Sequence, residues 1–274
     1  MLRKTTDLER FVIAATDGPI GHIEDFYFDD VAWVVRYLVV DTGTWLSSRK
    51  VLISPIAIGQ PDWAAKLLPV SITKEQVKNS PDVDTDKPVS RYHESQYLEY
   101  YGYPYYWVGA GIWGQGAYPS MMLPGFTPTV QAQRVRMEHV QAGAEVRRLQ
   151  DSDPHLRSCN EVTKYHIHAT DGDIGHVGAM LLDEETWAIR YLIVDTSNWW
   201  LGHQVLIAPQ WIQNVSWPDA KVSVGLTREA VKSAPPYEPA GQLDRKQEAW
   251  IYAHYRRSGY WADEAMRATT ASRQ

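Results

Sequence analysis

The sequence predicts a mainly β protein: two small antiparallel β-barrels, each followed by short helical tail segments. Three observations predict it. The chain overlays on itself at a shift of 154 residues, with no insertion or deletion between residues 17 and 101. Each copy carries short β-branched and aromatic runs at close spacing, separated by turn signals, which is the pattern of small barrels or sandwiches. Helical spacing is confined to the end of each copy.

The repeat is read directly. DGPIGH (17–22) meets DGDIGH (171–176), RYLVVDT (36–42) meets RYLIVDT (190–196), and VLISP (51–55) meets VLIAP (205–209). The same shift takes Trp45 to Trp199, Trp63 to Trp217, Thr73 to Thr227, Glu94 to Glu248 and Tyr101 to Tyr255. A unit of about 100 residues lies within the usual domain size. The expected organisation is a first module with its helical tail over 1–107, a Gly/Pro/aromatic linker with a possible short helix over 108–160, and a second module with its tail over 161–262.

Within each copy the elements follow in order. RFVIAAT (10–16) is a β-rich run that ends at Asp17-Gly18. Asp-Gly between apolar runs signals a hairpin, because glycine accepts the positive φ of the turn. IGHIEDFYF returns the chain, and Gly21, repeated as Gly175, marks a bulge or a tight backbone approach. Acids at 29–30 make the next turn. WVVRYLVVD is a third strand, VLISP a fourth, and LLPVSI (KVSVGL in the second copy) a fifth. Thr73 caps TKEQVKNS with Gln76 three residues on, and Ser80-Pro81 stops it. Ser90 and Asp244 open RYHESQYLEYYG and RKQEAWIYAHYRRSG. His93, Tyr97 and Tyr101 share one helix face in the first; Trp250, Ile251, His254 and Tyr255 make one packing stripe in the second. Between the copies, 100–129 is irregular and aromatic, and 130–150 has weak helical character.

Bulk properties narrow the function. The formal net charge is −6 with mixed signs and no long basic block, which speaks against nucleic-acid binding. Cys159 is the single cysteine, so an intrachain disulfide and a cysteine metal cage are both excluded, and a reducing, cytoplasmic setting is expected. MLRKTTDLER has no apolar core of a secretory signal. The longest apolar run, VAWVVRYLVV, is interrupted by Arg36 and falls short of the roughly 20 residues a spanning helix needs. Twelve Trp and sixteen Tyr stand against four Phe, which suits half-buried seams and interfaces.

These residues resemble the PRC-barrel family, which includes the cytoplasmic domain of the H subunit of photosynthetic reaction centres and the C-terminal domain of a ribosome-maturation factor. DGPIGHI, RYLVVD and VLISP carry the likeness, and DGDIGHV, RYLIVD and VLIAP carry it again, over about residues 8–80 and 162–234. A looser likeness extends to NSP (79–81), YYW (105–107) and GYW (259–261). The resemblance implies two PRC-type barrels in tandem. Unlike the reaction-centre subunit, the chain is expected to have no membrane helix, and unlike the ribosomal factor, no counterpart of that factor's N-terminal domain.

Asp17 with His22, and Asp171 with His176, could form acid–base pairs, but an Asp in an Asp-Gly turn usually bonds its own backbone, so a turn is expected. Gly18 and Gly172 are expected to serve that turn. His166 and His168 share a strand face and are weak metal candidates; the first copy has Val12 and Ala14 there. Arg36 and Arg190 interrupt an apolar strand in both copies and call for a carboxylate from Asp29/Asp183 or Asp41/Asp195, or a stack on Trp33 or Tyr37. Trp45, Trp199, Trp200, Leu201 and His203 are interaction candidates. Glu24-Asp25 become Gly178-Ala179, Ser47-Ser48 become Leu201-Gly202 and Arg49-Lys50 become His203-Gln204, so the second copy offers the less charged, docking side.

The expected function is non-catalytic: a binding or assembly protein that presents barrel surfaces to a protein partner or to itself, with no cofactor. The alternatives are an auxiliary factor of a photosynthetic or electron-transfer complex, by resemblance, and a metal-dependent enzyme.

Overall fold

The computed structural model describes residues 1–82, 89–123, 142–143, 154–196, 203–239, 241 and 243–262. The first strands are β1 (Leu2–Lys4), β2 (Val12–Ala15), β3 (Gly18–Asp29), β4 (Val34–Asp41), β5 (Lys50–Ile53), β6 (Leu67–Pro69) and β7 (Val89–Ser90). The later ones are β8 (Pro154–Ser158), β9 (His166–Ala169), β10 (Gly172–Asp183), β11 (Ile189–Asp195), β12 (Gln204–Ile207), β13 (Ile212–Ser216) and β14 (Lys221–Val224).

The protein is mainly β, with two sheets and few helices. One sheet runs β5-β4-β3-β2-β6 and the other β12-β11-β10-β9-β14-β13. Two hairpins in each give the expected antiparallel core. The all-antiparallel expectation needs correction: β2 pairs β6 in parallel, and β9 pairs β14 in parallel, so both sheets are mixed. β2 and β6 are separated in the chain by β3, β4 and β5, and β9 and β14 by β10 to β13, so no tight hairpin forces either pair to be antiparallel.

Two glycine positions shape each hairpin. Gly18 and Gly172 turn at φ of 132° and 136°, where a side chain is strained. Gly21 and Gly175 serve the backbone approach: a Cβ on either would overlap the carbonyl oxygen of Asp41 or Asp195. The register shifts beside them bend β3 and β10. Inward residues such as Ile13, Ile23, Phe26, Leu38 and Val40 are fully buried, as are Ile167, Val177, Met180, Leu192 and Val194.

The chain divides into two compact units, and each draws on both halves of the sequence. The first unit is Asp7–Cys159 with Glu185–Ala188; the second is Met1–Thr6, Asn160–Glu184 and Ile189–Gln274. β1 pairs β10, with Leu2 opposite Asp183. β8 pairs β3, with Leu156 opposite Asp29. These are the same register 154 residues apart, so the leading strand of each repeat is exchanged. A repeated ion pair accompanies it: Arg3 Nε lies 2.9 Å from Glu184, and Arg157 Nε 3.1 Å from Asp30.

Candidate functional site

The Asp-Gly turns come first. Asp17 Oδ1 accepts from the backbone N–H of Lys74 at 2.8 Å, and Asp171 Oδ1 from that of Arg228 at 2.7 Å. Lys74 and Arg228 open the helices Lys74–Lys78 and Arg228–Lys232. The carboxylate therefore satisfies an orphan donor at a helix start 57 residues away rather than its own turn, where negative charge is favourable. His22 turns elsewhere: its Nε2 is 3.9 Å from Asp41 Oδ2. The acid and the histidine do not converge, so they form no dyad.

The residues the structure does bring together lie between each sheet and its tail helix. In the first unit Arg36 is 3% exposed. Its Nη1 donates to the Ile112 carbonyl at 2.5 Å, its Nη2 lies 3.5 Å from Asp29 Oδ2, and its guanidinium sits 3.8 Å over the Tyr106 ring and 4.7 Å from that of Trp113. Asp29, not Asp41, is the partner, and the stacked rings are Tyr106 and Trp113, not Trp33 or Tyr37. Burial pushes the Asp29 carboxyl upward, but the Arg36 charge and the N–H groups of Ala32 and Val31 outweigh it and the net shift is downward. Asp41 instead accepts from the Gly43 N–H at 2.8 Å.

Glu94, on the helix Arg91–Tyr101, is buried beside this pair. Tyr106 Oη donates to Glu94 Oε1 at 2.7 Å, and His155 Nε2 lies 2.6 Å from Glu94 Oε2. Arg91 lies 3.6 Å from the same carboxylate and covers the Trp107 ring at 4.4 Å. Burial, then the Glu94 charge, hold the Tyr106 phenol well above its ordinary range.

The second unit repeats the plan. Arg190 Nη2 meets Asp183 Oδ2 at 3.2 Å and stacks 4.1 Å over Tyr260. Glu248 Oε1 accepts from Tyr191 at 3.0 Å and Tyr260 at 2.9 Å, with Arg245 at 3.1 Å from Oε2 and 4.6 Å over Trp261. His155 has no such counterpart, because the shift places Met1 there. Sequence reasoning passed over Arg91/Arg245 and the role of Glu94/Glu248. The available signal was their repetition, together with the YW pairs that close each tail.

The remaining candidates separate. Trp45 is half-buried under the Lys74 ammonium, 4.6 Å from its ring centroid, so it packs against its own unit's helix. Trp199, Trp200 and Leu201 lie outside the described residues. His203 is exposed. His168 pairs with Asp173 at 2.7 Å, while His166 is exposed; among the described residues no group of three or more His, Cys, Asp or Glu is placed to hold a metal ion. The packing stripe on the last helix also needs correction. Ile251 and Tyr255 are buried, but Trp250 is 63% exposed, because it lies about 100° round the helix from Ile251.

No family model matches the chain. It is similar to a protein of Deinococcus radiodurans described as "Uncharacterized protein", 33% identical over 88 residues. The match takes in 28% of this chain and 31% of that relative, so it spans about a third of the relative's length. No helix among the described residues is long and apolar enough to cross a membrane.

Proposed function

We propose that the chain is a non-catalytic binding or assembly protein of two PRC-type barrel modules, which acts in the cytoplasm by associating with a protein partner or with itself. The observation that carries the reading is where the two copies agree and where they differ. Their shared polar residues are engaged in the fold: Asp17 and Asp171 cap distant helices, and Glu94 and Glu248 bind buried phenols. One difference falls on the surface. Trp250 is 63% exposed on the helix Arg245–His254, where the first copy has Gln96.

Trp250 shares its helix face with Lys246, Gln247 and Ala253, all exposed, so a broad ring stands in the open among polar and small side chains. Aromatic anchors of this kind are enriched at interfaces, and leaving one in water is unfavourable. In a native extract the chain is expected to elute above its own mass, and Trp250→Glu to shift towards it with an unchanged circular dichroism spectrum. Elution of the wild type at its own mass would remove the reading.

A further inference from the structure

The two copies also differ at the end of the helix Lys74–Lys78, and there the first copy shows what the second lacks. Arg49 lies beside the C-terminal end of the helix Lys74–Lys78. Its Nη1 donates to the Lys78 carbonyl at 2.9 Å, its Nη2 to the Ser80 carbonyl at 2.7 Å, and its Nε lies 2.8 Å from Asp82. One planar fork thus reads two backbone carbonyls at once.

The shift of 154 residues turns Arg49 into His203, Ser80 into Ala234 and Asp82 into Pro236. The described backbone agrees at two points. Thr42 Oγ1 donates to the Arg49 carbonyl at 2.6 Å, and Thr196 Oγ1 to that of His203 at 2.5 Å. The helix ends match as well: Asn79 and Ser233 have φ/ψ of −94°/5° and −88°/4°, and each N–H returns to the carbonyl four residues back. His203 therefore leaves the chain where Arg49 does, but its shorter side chain is exposed.

What remains is a cavity of about 200 Å³. Ile174, Val205 and Val231 give it an apolar wall, and Lys232, Ser233 and Ala234 line the end where the first copy's carbonyls hold Arg49. Drug-sized ligands fill roughly 300–1,000 Å³. A cavity of this size suits a single side chain.

We infer that this cavity binds a guanidinium group on a short apolar stem. The stem would lie on Ile174, Val205 and Val231, and the fork would donate to the carbonyls of Lys232 and Ala234, as Arg49 does to those of Lys78 and Ser80. Such a group comes from a free small guanidine or from an arginine side chain of a protein. The inference stands apart from the Trp250 surface, so either can fail without the other.

Calorimetric titration of the full chain tests it with three probes: agmatine, a Gly-Arg-Gly peptide capped at both ends, and butylamine, which has the stem without the fork. Saturable binding of agmatine at one site per chain is expected, with butylamine at least about tenfold weaker. His203→Arg supplies the plug within the chain. It should raise the melting temperature and weaken agmatine at least about tenfold. Arg49→His with Asp82→Pro should open the first copy's space and raise the stoichiometry from one to two. Binding of the peptide alongside agmatine assigns the site to an arginine of a partner; binding of agmatine alone assigns it to a free guanidine. Absence of saturable binding by either guanidinium probe overturns the inference, and so does binding that His203→Arg leaves unchanged.

Discussion

Arg36→Met is the substitution whose cost the structure fixes most closely. It keeps the volume of the stem and removes the charge, leaving the Asp29 carboxylate buried at 4% exposure without the guanidinium 3.5 Å away. Breaking a buried pair from one side costs about 3–5 kcal/mol where the remaining charge is uncompensated. The Val31 and Ala32 N–H groups still bond Asp29, while the stack on Tyr106 and Trp113 is lost, so a loss of about 3 kcal/mol is expected. Arg36→Lys keeps the charge but neither the fork nor the stack, and should recover only part of the loss. Asp29→Asn in the Arg36→Met background should cost less than in the wild type, with a coupling of about 1–3 kcal/mol.

Urea unfolding followed by tryptophan fluorescence reads these values, and pH adds a check of sign. The Asp29 carboxyl is depressed in the folded chain. A carboxyl depressed on folding contributes stability above its unfolded value, near 3.8, and loses it as pH falls through the lower folded value. The gap between wild type and Arg36→Met should therefore narrow as the pH is taken below 3.8. A loss under about 1 kcal/mol at neutral pH, or additive single and double substitutions, would refute the reasoning, since contacting residues couple.

Other consequences follow from the same geometry. Asp17→Ala and Asp171→Ala should each cost about 0.5–2 kcal/mol in denaturant unfolding, as lost helix caps do; an unchanged midpoint for both would remove the capping role. Gly21→Ala should destabilise more than Gly43→Ala: a Cβ on Gly21 overlaps the Asp41 carbonyl, while one on Gly43 meets nothing within 4 Å and adds only the strain of its φ of 56°, and thermal melts rank the two. Arg3→Glu should speed amide exchange at Leu181–Asp183, and Glu184→Arg added to it should restore protection, if β1 is held by that ion pair.

Much of this was legible in the sequence, for reasons that particular residues make clear. Asp17-Gly18 announces its hairpin because only glycine tolerates the turn, and Thr73 with Gln76 announces its helix because the capping box is local; both side chains bond as the spacing requires. Asp244 with Gln247 forms the same box, whereas the Ser90 hydroxyl turns to the His93 ring instead. Arg36 was visible as a charge in an apolar strand, but choosing Asp29 over Asp41 depends on how β3 and β4 are paired. The exchanged strands were hidden. Leu2–Lys4 and Pro154–Ser158 are short and polar, and nothing local says which sheet edge a short strand will join. The parallel direction of β6 and β14 was hidden for the same reason. Trp250 was misplaced because one position along a helix carries a side chain from the buried face to the open one.

Whether the chain holds a protein partner or another copy of itself is read by paired affinity capture. Tagged wild-type and tagged Trp250→Glu chains would be expressed in the native host beside an untagged copy, and retained proteins quantified against the bait. One protein, the untagged chain or another, should be retained near one-to-one by the wild type and depleted severalfold by Trp250→Glu. Baits of equal foldedness that retain the same proteins in the same amounts, or none near that ratio, would contradict it.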